Sequence, residues 1–330
     1  MRSPSTCKHL ANLCAPALFC TITIRYRSPE KLTSLLGYLT NIGCFVKHLK
    51  LRPDAQGRDD AILAEIVKKC SDLRHITISY YIEDKSDRVL LLAAFKVLPA
   101  LTTLRLTELS DGYWPRRISN EDSLMHKIFI SVLESHRSLR SLEVNGYKTL
   151  ECGGFASLIH DAPRLIELKL CDALHVGLRN SLSESQTWAC ATHLQVLTFV
   201  QCSGLHAGIF TQKLASGVFG HPQKVTLEAC GDPSDDREPP SPVTWTIPPL
   251  DIFELDNCEA WEMEHLQLVH AKKVFLSRVW SGMYKMAIRQ ISEGRAFPGA
   301  VEMHVTNGWD DVDLGELQRV CSAKGVNIYI

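Results

Sequence analysis

The chain alternates apolar and polar residues in short stretches that recur along most of its length. "LQVLTFVQC" (194–202), "PQKVTLEAC" (222–230) and "LDIFELDNC" (250–258) each reach a cysteine three positions after their last apolar anchor, so Cys202, Cys230 and Cys258 are evenly spaced. The paired anchors of this L-x-L step are Leu49/Leu51, Ile76/Ile78, Leu104/Leu106, Leu142/Val144, Leu168/Leu170 and Leu197/Phe199. They continue as Val225/Leu227, Phe253/Leu255, Val274/Leu276, Met303/Val305 and Ile328/Ile330. Successive first anchors lie 27, 28, 38, 26, 29, 28, 28, 21, 29 and 25 residues apart. Leu73, Leu101, Leu139, Leu165, Leu194 and Leu250 each stand three positions before a pair.

Period-two alternation predicts a short strand with one buried face. A connector of about twenty residues is long enough for a helix that returns the chain to a parallel neighbour. In "DDAILAEIVKKC", Ile62, Leu63, Ile66, Val67 and Cys70 fall on one helical face. Met125, Ile128, Phe129, Val132 and Leu133 do the same after a capping pair, Ser119 and Asp122. The unit L-x-x-L-x-L, followed in the best copies by x-x-C, resembles the leucine-rich repeat over residues 46–330, in about eleven units. That resemblance implies an α/β solenoid, curved, with parallel strands on its concave face and helices on its convex face.

Two irregular insertions interrupt the repeat. One lies near 107–122 and carries Trp114, Pro115, Arg116 and Arg117; the other, near 231–249, is rich in proline and aspartate and predicts an extended connector. Residues 1–45 fall outside the pattern and are expected to form a short helical cap over the first strand's apolar edge. Within them Cys7, Lys8, Leu10, Ala15, Pro16, Leu18, Phe19, Ile22 and Ile24 resemble the closing part of a fungal F-box. The helix pair that opens an F-box has no counterpart before Cys7. The resemblance implies docking on a Skp-type adaptor of a cullin ubiquitin ligase, with Cys7, Leu10, Leu18 and Phe19 as remnants of that contact. An incomplete domain leaves open a repeat scaffold unconnected to ubiquitin.

Composition is that of a globular protein, with 45% hydrophobic and 22% charged residues and a formal net charge of −1. No global field therefore draws the chain to nucleic acid or membrane, and neither is expected as a partner. The first fifty residues differ: Arg2, Lys8, Arg25, Arg27, Lys31, Lys47 and Lys50 face the single acid Glu30. The twelve cysteines include no C-x-x-C pair, and three thiols in a row one strand apart suit tetrahedral zinc poorly. We read them as small buried residues bonded to the backbone of the turn, and expect no metal. The longest clean apolar run, "VLLLAAF", is far short of a membrane span, and an intracellular location is expected.

The chain holds no phosphate-binding loop, dinucleotide fingerprint, H-E-x-x-H or G-x-S-x-G, so neither catalysis nor a cofactor is expected. A hydrolase or redox role for Cys152 or Cys190 would need an activated thiol. Binding is the natural use of the outward strand positions, which face a protein substrate on the concave side: Glu143, Lys169, Thr198, Thr226, Glu228, Glu254, Asp256, Lys273, Phe275 and His304. Residues 232–262 contain nine acids against Arg237, which predicts an acidic patch around Glu228, Glu254 and Asp256 beside Lys273 and Phe275.

Overall fold

Every anchor pair that is predicted from alternation lies on a strand of a parallel array or at its end. The computed structural model describes residues 14–25, 29–53, 58–81, 88–98, 101–109, 132, 135–146, 164–171, 193–202, 210, 214, 217, 219–230, 248–258, 269–278, 281–306 and 311–330. The chain divides into two compact units, Met1–Gly146 and Tyr147–Ile330.

In the first unit β1 (Thr21–Arg25), β2 (His48–Arg52), β3 (His75–Tyr81), β4 (Thr103–Leu109) and β5 (Ser141–Asn145) pair in chain order, all parallel. Helix α1 (Pro29–Ile42) follows β1, α2 (Asp60–Lys69) follows β2 and α3 (Val89–Lys96) follows β3. In the second unit β6 (Glu167–Cys171), β7 (Val196–Val200), β8 (Lys224–Glu228), β9 (Leu250–Asp256), β10 (Ala271–Ser277), β11 (Glu302–Thr306) and β12 (Asn327–Tyr329) also pair in order and parallel. Helix α4 (Ser281–Ser292) joins β10 to β11, and α5 (Asp311–Ala323) joins β11 to β12.

The register follows the repeat anchor for anchor. Leu49 pairs with Ile76 and Ile76 with Leu104; in the second unit Leu168, Leu197, Val225, Phe253, Val274, Met303 and Ile328 form one row. Both anchors are buried in every strand from β2 to β11. So are the leucines three positions earlier: Leu73, Leu101, Leu139, Leu165, Leu194 and Leu250. Phe199, Phe210 and Phe219 fill the interior beside β7, with the Phe199 and Phe210 rings edge to face at 5.5 Å.

The parallel array begins before residue 46. Ile22 and Ile24 pair with Leu49 and Leu51, and Ile24 is buried, so 21–25 is itself a strand followed by a helix. The physical reason is spacing: Ile22 stands 27 residues before Leu49, one repeat interval, and its alternation is the same. Pro29 and Glu30 open α1, where a missing amide and a negative charge are both tolerated, and Leu32 and Leu39 are its buried residues. Gly43, just past its end, is buried so closely on α2 that a Cβ there would lie 2.3 Å from the Lys69 carbonyl oxygen. No side chain fits that approach.

Helix α2 buries Leu63, Ala64, Ile66 and Val67, with Cys70 just beyond its end, and leaves Ile62 half-buried. Helix α3 is the "VLLLAAF" run. It buries Leu91, Ala94 and Phe95 but exposes Val89 and Leu90. Among the described residues no helix is long and apolar enough to cross a membrane. Of the helix expected around 125–133, only Val132 is described, and it is fully buried; Ser119, Asp122 and most of both insertions lie outside the described residues.

A buried ion pair ties α2 to α3. Arg88 Nη1 lies 2.7 Å from Asp59 Oδ1, with side-chain exposures of 0% and 1%. Each residue immediately precedes a helix, and Arg88 is left-handed, with φ 44°. The neighbouring Asp60 Oδ2 accepts the Leu90 N–H at 3.0 Å; burial pushes its carboxyl up, against the pull of that bond and of Arg88. His136 is also buried, its Nε2 2.6 Å from the Phe95 carbonyl, and burial pushes its ring down.

Candidate functional site

The three cysteines of the repeat belong to the framework. Cys202 Sγ donates to Leu170 O, Cys230 Sγ to Phe199 O and Cys258 Sγ to Leu227 O, at 3.5, 3.3 and 3.5 Å. Each thus reaches a carbonyl at the strand before its own. The backbone between anchor and cysteine turns through a left-handed residue: Gln201 (φ 52°), Ala229 (φ 49°) and Asn257 (φ 50°). The N–H of each donates to the following strand, Ala229 to Asp256 O at 2.8 Å for example. Cys230 is pushed up to about 12, by its hydrogen bond with Cys202 first and by burial. Cys258 is raised as well, by Cys230 and by burial. Such thiols are protonated at neutral pH and poor nucleophiles. Among the described residues no group of three or more His, Cys, Asp or Glu side chains is placed to hold a metal. Cys152 and Cys190 lie outside the described residues.

The outward strand positions line up in rows because the register is one to one. In the second unit the middle row reads Lys169, Thr198, Thr226, Glu254, Phe275, His304, Tyr329. Its last three rings stack: Phe275 on His304 at 4.3 Å and His304 on Tyr329 at 4.5 Å, each within 11° of parallel. Parallel in-register strands stand about 4.8 Å apart, so flat side chains at equivalent positions meet face to face. Phe275 and His304 are half-buried and Tyr329 is exposed.

Glu228, Glu254, Asp256 and Glu302 on this face are matched by cations. Glu254 receives Lys224 Nζ at 2.7 Å and the Thr226 hydroxyl at 2.7 Å. Asp256 takes two bonds from the Arg278 guanidinium, one of them from Nε at 2.8 Å, while Glu228 lies 3.8 Å from the same guanidinium. Arg278 holds the Asp256 carboxyl below its ordinary range. Lys273 Nζ meets Glu302 at 2.8 Å, and the same carboxylate lies 3.6 Å from His304 Nε2. The pair raises the lysine and lowers the acid. Glu228, Glu254 and Asp256 thus sit in a chequer of paired charges beside three stacked rings; Asp232, Asp235, Asp236, Glu238, Glu259 and Glu262 of the expected acidic patch lie outside the described residues.

Lys224, Arg278 and Glu302 escaped the sequence reading. Lys224 and Glu302 precede their first anchors, where alternation alone assigns no partner. Arg278 occupies the left-handed position (φ 47°), from which its side chain reaches back over β9. Glu143 belongs to the first unit, where it pairs with Arg105 at 2.5 Å. Near the start Leu18 is 70% exposed and Phe19 half-buried, while Cys7 and Leu10 lie outside the described residues.

Fold and face together define an α/β protein of repeated strand units with an open, charge-paired sheet surface. No family model matches the sequence, and no curated protein matches it.

Proposed function

We propose that the chain is a non-enzymatic, intracellular leucine-rich-repeat protein that recognises a protein substrate through its outward, concave strand positions. The reading rests on one observation above others, the Phe275–His304–Tyr329 stack flanked by the Lys273–Glu302 and Lys224–Glu254 pairs. Stacked rings bury contact area at little entropic cost, and charges matched in advance reduce desolvation on docking. The recurring register and the cysteine bonds to preceding strands support the repeat class.

In the F-box reading, such recognition serves ubiquitin transfer, with Leu18 and Phe19 meeting a Skp-type adaptor together with Cys7 and Leu10. The second reading, a scaffold unconnected to ubiquitin, is favoured by Ile22 and Ile24. Both contribute to the F-box resemblance, yet both pair within the first parallel strand. A pull-down against a purified Skp–cullin pair separates the two. Capture by the chain, lost in Leu18→Asp, supports the adaptor reading; absence of capture leaves the scaffold. A photo-crosslinking residue placed at Phe275 tests the face itself. It should trap a partner that the same residue at exposed Arg319 on α5 does not, and equal trapping from both would sink the face.

A further inference from the structure

The first unit carries a different surface from the second, and the contrast appears when its rows are read across strands. One row is Thr23, Lys50, Thr77, Arg105, Glu143, and the row before it is Thr21, His48, His75, Thr103, Ser141. Beyond it Arg25 pairs with Arg52, and Ser79 with Thr107 and Thr107 with Asn145. Ahead of the strands, backbone bonds from Arg74 to Lys47, from Thr102 to Arg74 and from Arg140 to Thr102 align Lys47, Arg74, Thr102 and Arg140.

These rows hold the cations Arg25, Lys47, Lys50, Arg52, Arg74, Arg105 and Arg140 against one acid, Glu143, which pairs with Arg105. Beside them Asp72 lies 3.6 Å from Arg74. Lys47, Lys50, Arg74 and Arg140 are all exposed. Threonine and serine hydroxyls and the Asn145 amide fill the positions between. His48 and His75 stack at 4.1 Å, nearly parallel. In the second unit Lys224, Lys272, Lys273 and Arg278 each have a carboxylate within 2.8 Å.

We propose that the outward face of the first unit docks an extended, acidic segment of a partner protein, separately from the ring-bearing face of the second unit. Charge complementarity carries the assignment. The exposed Lys47, Lys50, Arg74 and Arg140, on or just ahead of neighbouring strands, repel one another, and a ligand that supplies carboxylates relieves that repulsion. The five strands span roughly 19 Å, which an extended chain of about six residues covers. A single-stranded nucleic acid is the poorer match. Its bases need ring faces to stack on, and the only rings among the described side chains of these rows are two imidazoles already stacked on each other.

The test is fluorescence anisotropy of the full chain with a short labelled peptide rich in Asp and Glu, beside a peptide of the same length with Asn and Gln in their place. The acidic peptide is expected to bind, and to weaken steeply as salt is raised. The triple variant Lys47→Glu/Lys50→Glu/Arg140→Glu should lose about tenfold or more in affinity. Lys285→Glu, exposed on α4, should leave it unchanged. Circular dichroism of each variant confirms that the fold survives. No difference between the two peptides, equal loss in the Lys285 control, or tighter binding of a labelled DNA single strand would each overturn the proposal. Loss of binding through Phe275 leaves this result untouched, so the two faces stand or fall separately.

Discussion

The backbone N–H of Cys230 donates to the sulfur of Cys258, 3.4 Å away and 28 residues further along the chain. All three thiols donate to a carbonyl of the preceding strand, and Cys258 also accepts from the preceding turn. Cys258→Ala removes both roles and leaves a buried N–H without a partner. The expected loss is about 1–3 kcal/mol in urea unfolding. Cys258→Ser, which keeps a donor and an acceptor, should lose less. Equal losses would mean that packing of the sulfur, not its bonding, is what the site requires.

Thiol reactivity should divide sharply by burial. Cys14 and Cys44 are exposed, whereas Cys70, Cys202, Cys230, Cys258 and Cys321 are buried. Burial pushes Cys70 up to about 12 and Cys321 up to about 11. With iodoacetamide at neutral pH, mass spectrometry should find Cys14 and Cys44 modified while those five react only after denaturation. Rapid labelling of any of the five in the native protein would show a thiol activated in a way this geometry does not provide.

The Asp59–Arg88 pair is fully out of water, so removing one member leaves the other's charge buried without its main counter-charge. Asp59→Ala is expected to cost about 3–5 kcal/mol. The double variant Asp59→Ala/Arg88→Met should recover part of that, because the uncompensated guanidinium is gone. A double-mutant cycle read by chemical denaturation measures the coupling, and additive losses would show that the two charges act independently.

Asp256 gives the strand surface of the second unit a pH signature. Its folded value lies below the ordinary 3.8 because Arg278 bonds the ionised form. The pair's stabilisation is therefore fully present above 3.8 and is lost as pH falls through the lower folded value. With Arg278 half exposed, solvent screens the pair and its contribution is small. Asp256→Asn should therefore narrow its gap to the wild type as pH falls below that window. A gap independent of pH would assign the effect to something other than ionisation.

The framework was legible because its signal is repeated. One alternating strand is ambiguous, but anchors from Leu49 to Val305 at near-constant intervals constrain one another, and each falls buried and in register. The place of Ile22 and Ile24 in the same sheet is harder to read, because these residues also fit the closing strand of the F-box resemblance, although their spacing to Leu49 and Leu51 matches the repeat. The face was only half legible. Which acids lie on it follows from alternation, yet Lys224 meeting Glu254 and Arg278 meeting Asp256 depend on cross-strand reach and on one left-handed turn. The Asp59–Arg88 pair was invisible for a related reason. Adjacent charges before a helix ordinarily read as solvated capping residues, and only packing of α2 on α3 removes the water.

The one-to-one register also sets a ruler against which any extended ligand is measured. Along a row, successive repeats offer one side chain about every 4.8 Å, whereas an extended peptide presents same-side residues about every 6.7 Å. The two scales drift out of phase within a few strands, like mismatched gratings. Directional bonds cannot stay aligned over such a distance, but the attraction between charges tolerates the offset. Long-range recognition along a row of the first unit thus favours a diffuse charge, and the close fit of the stacked rings in the second unit suits a compact epitope.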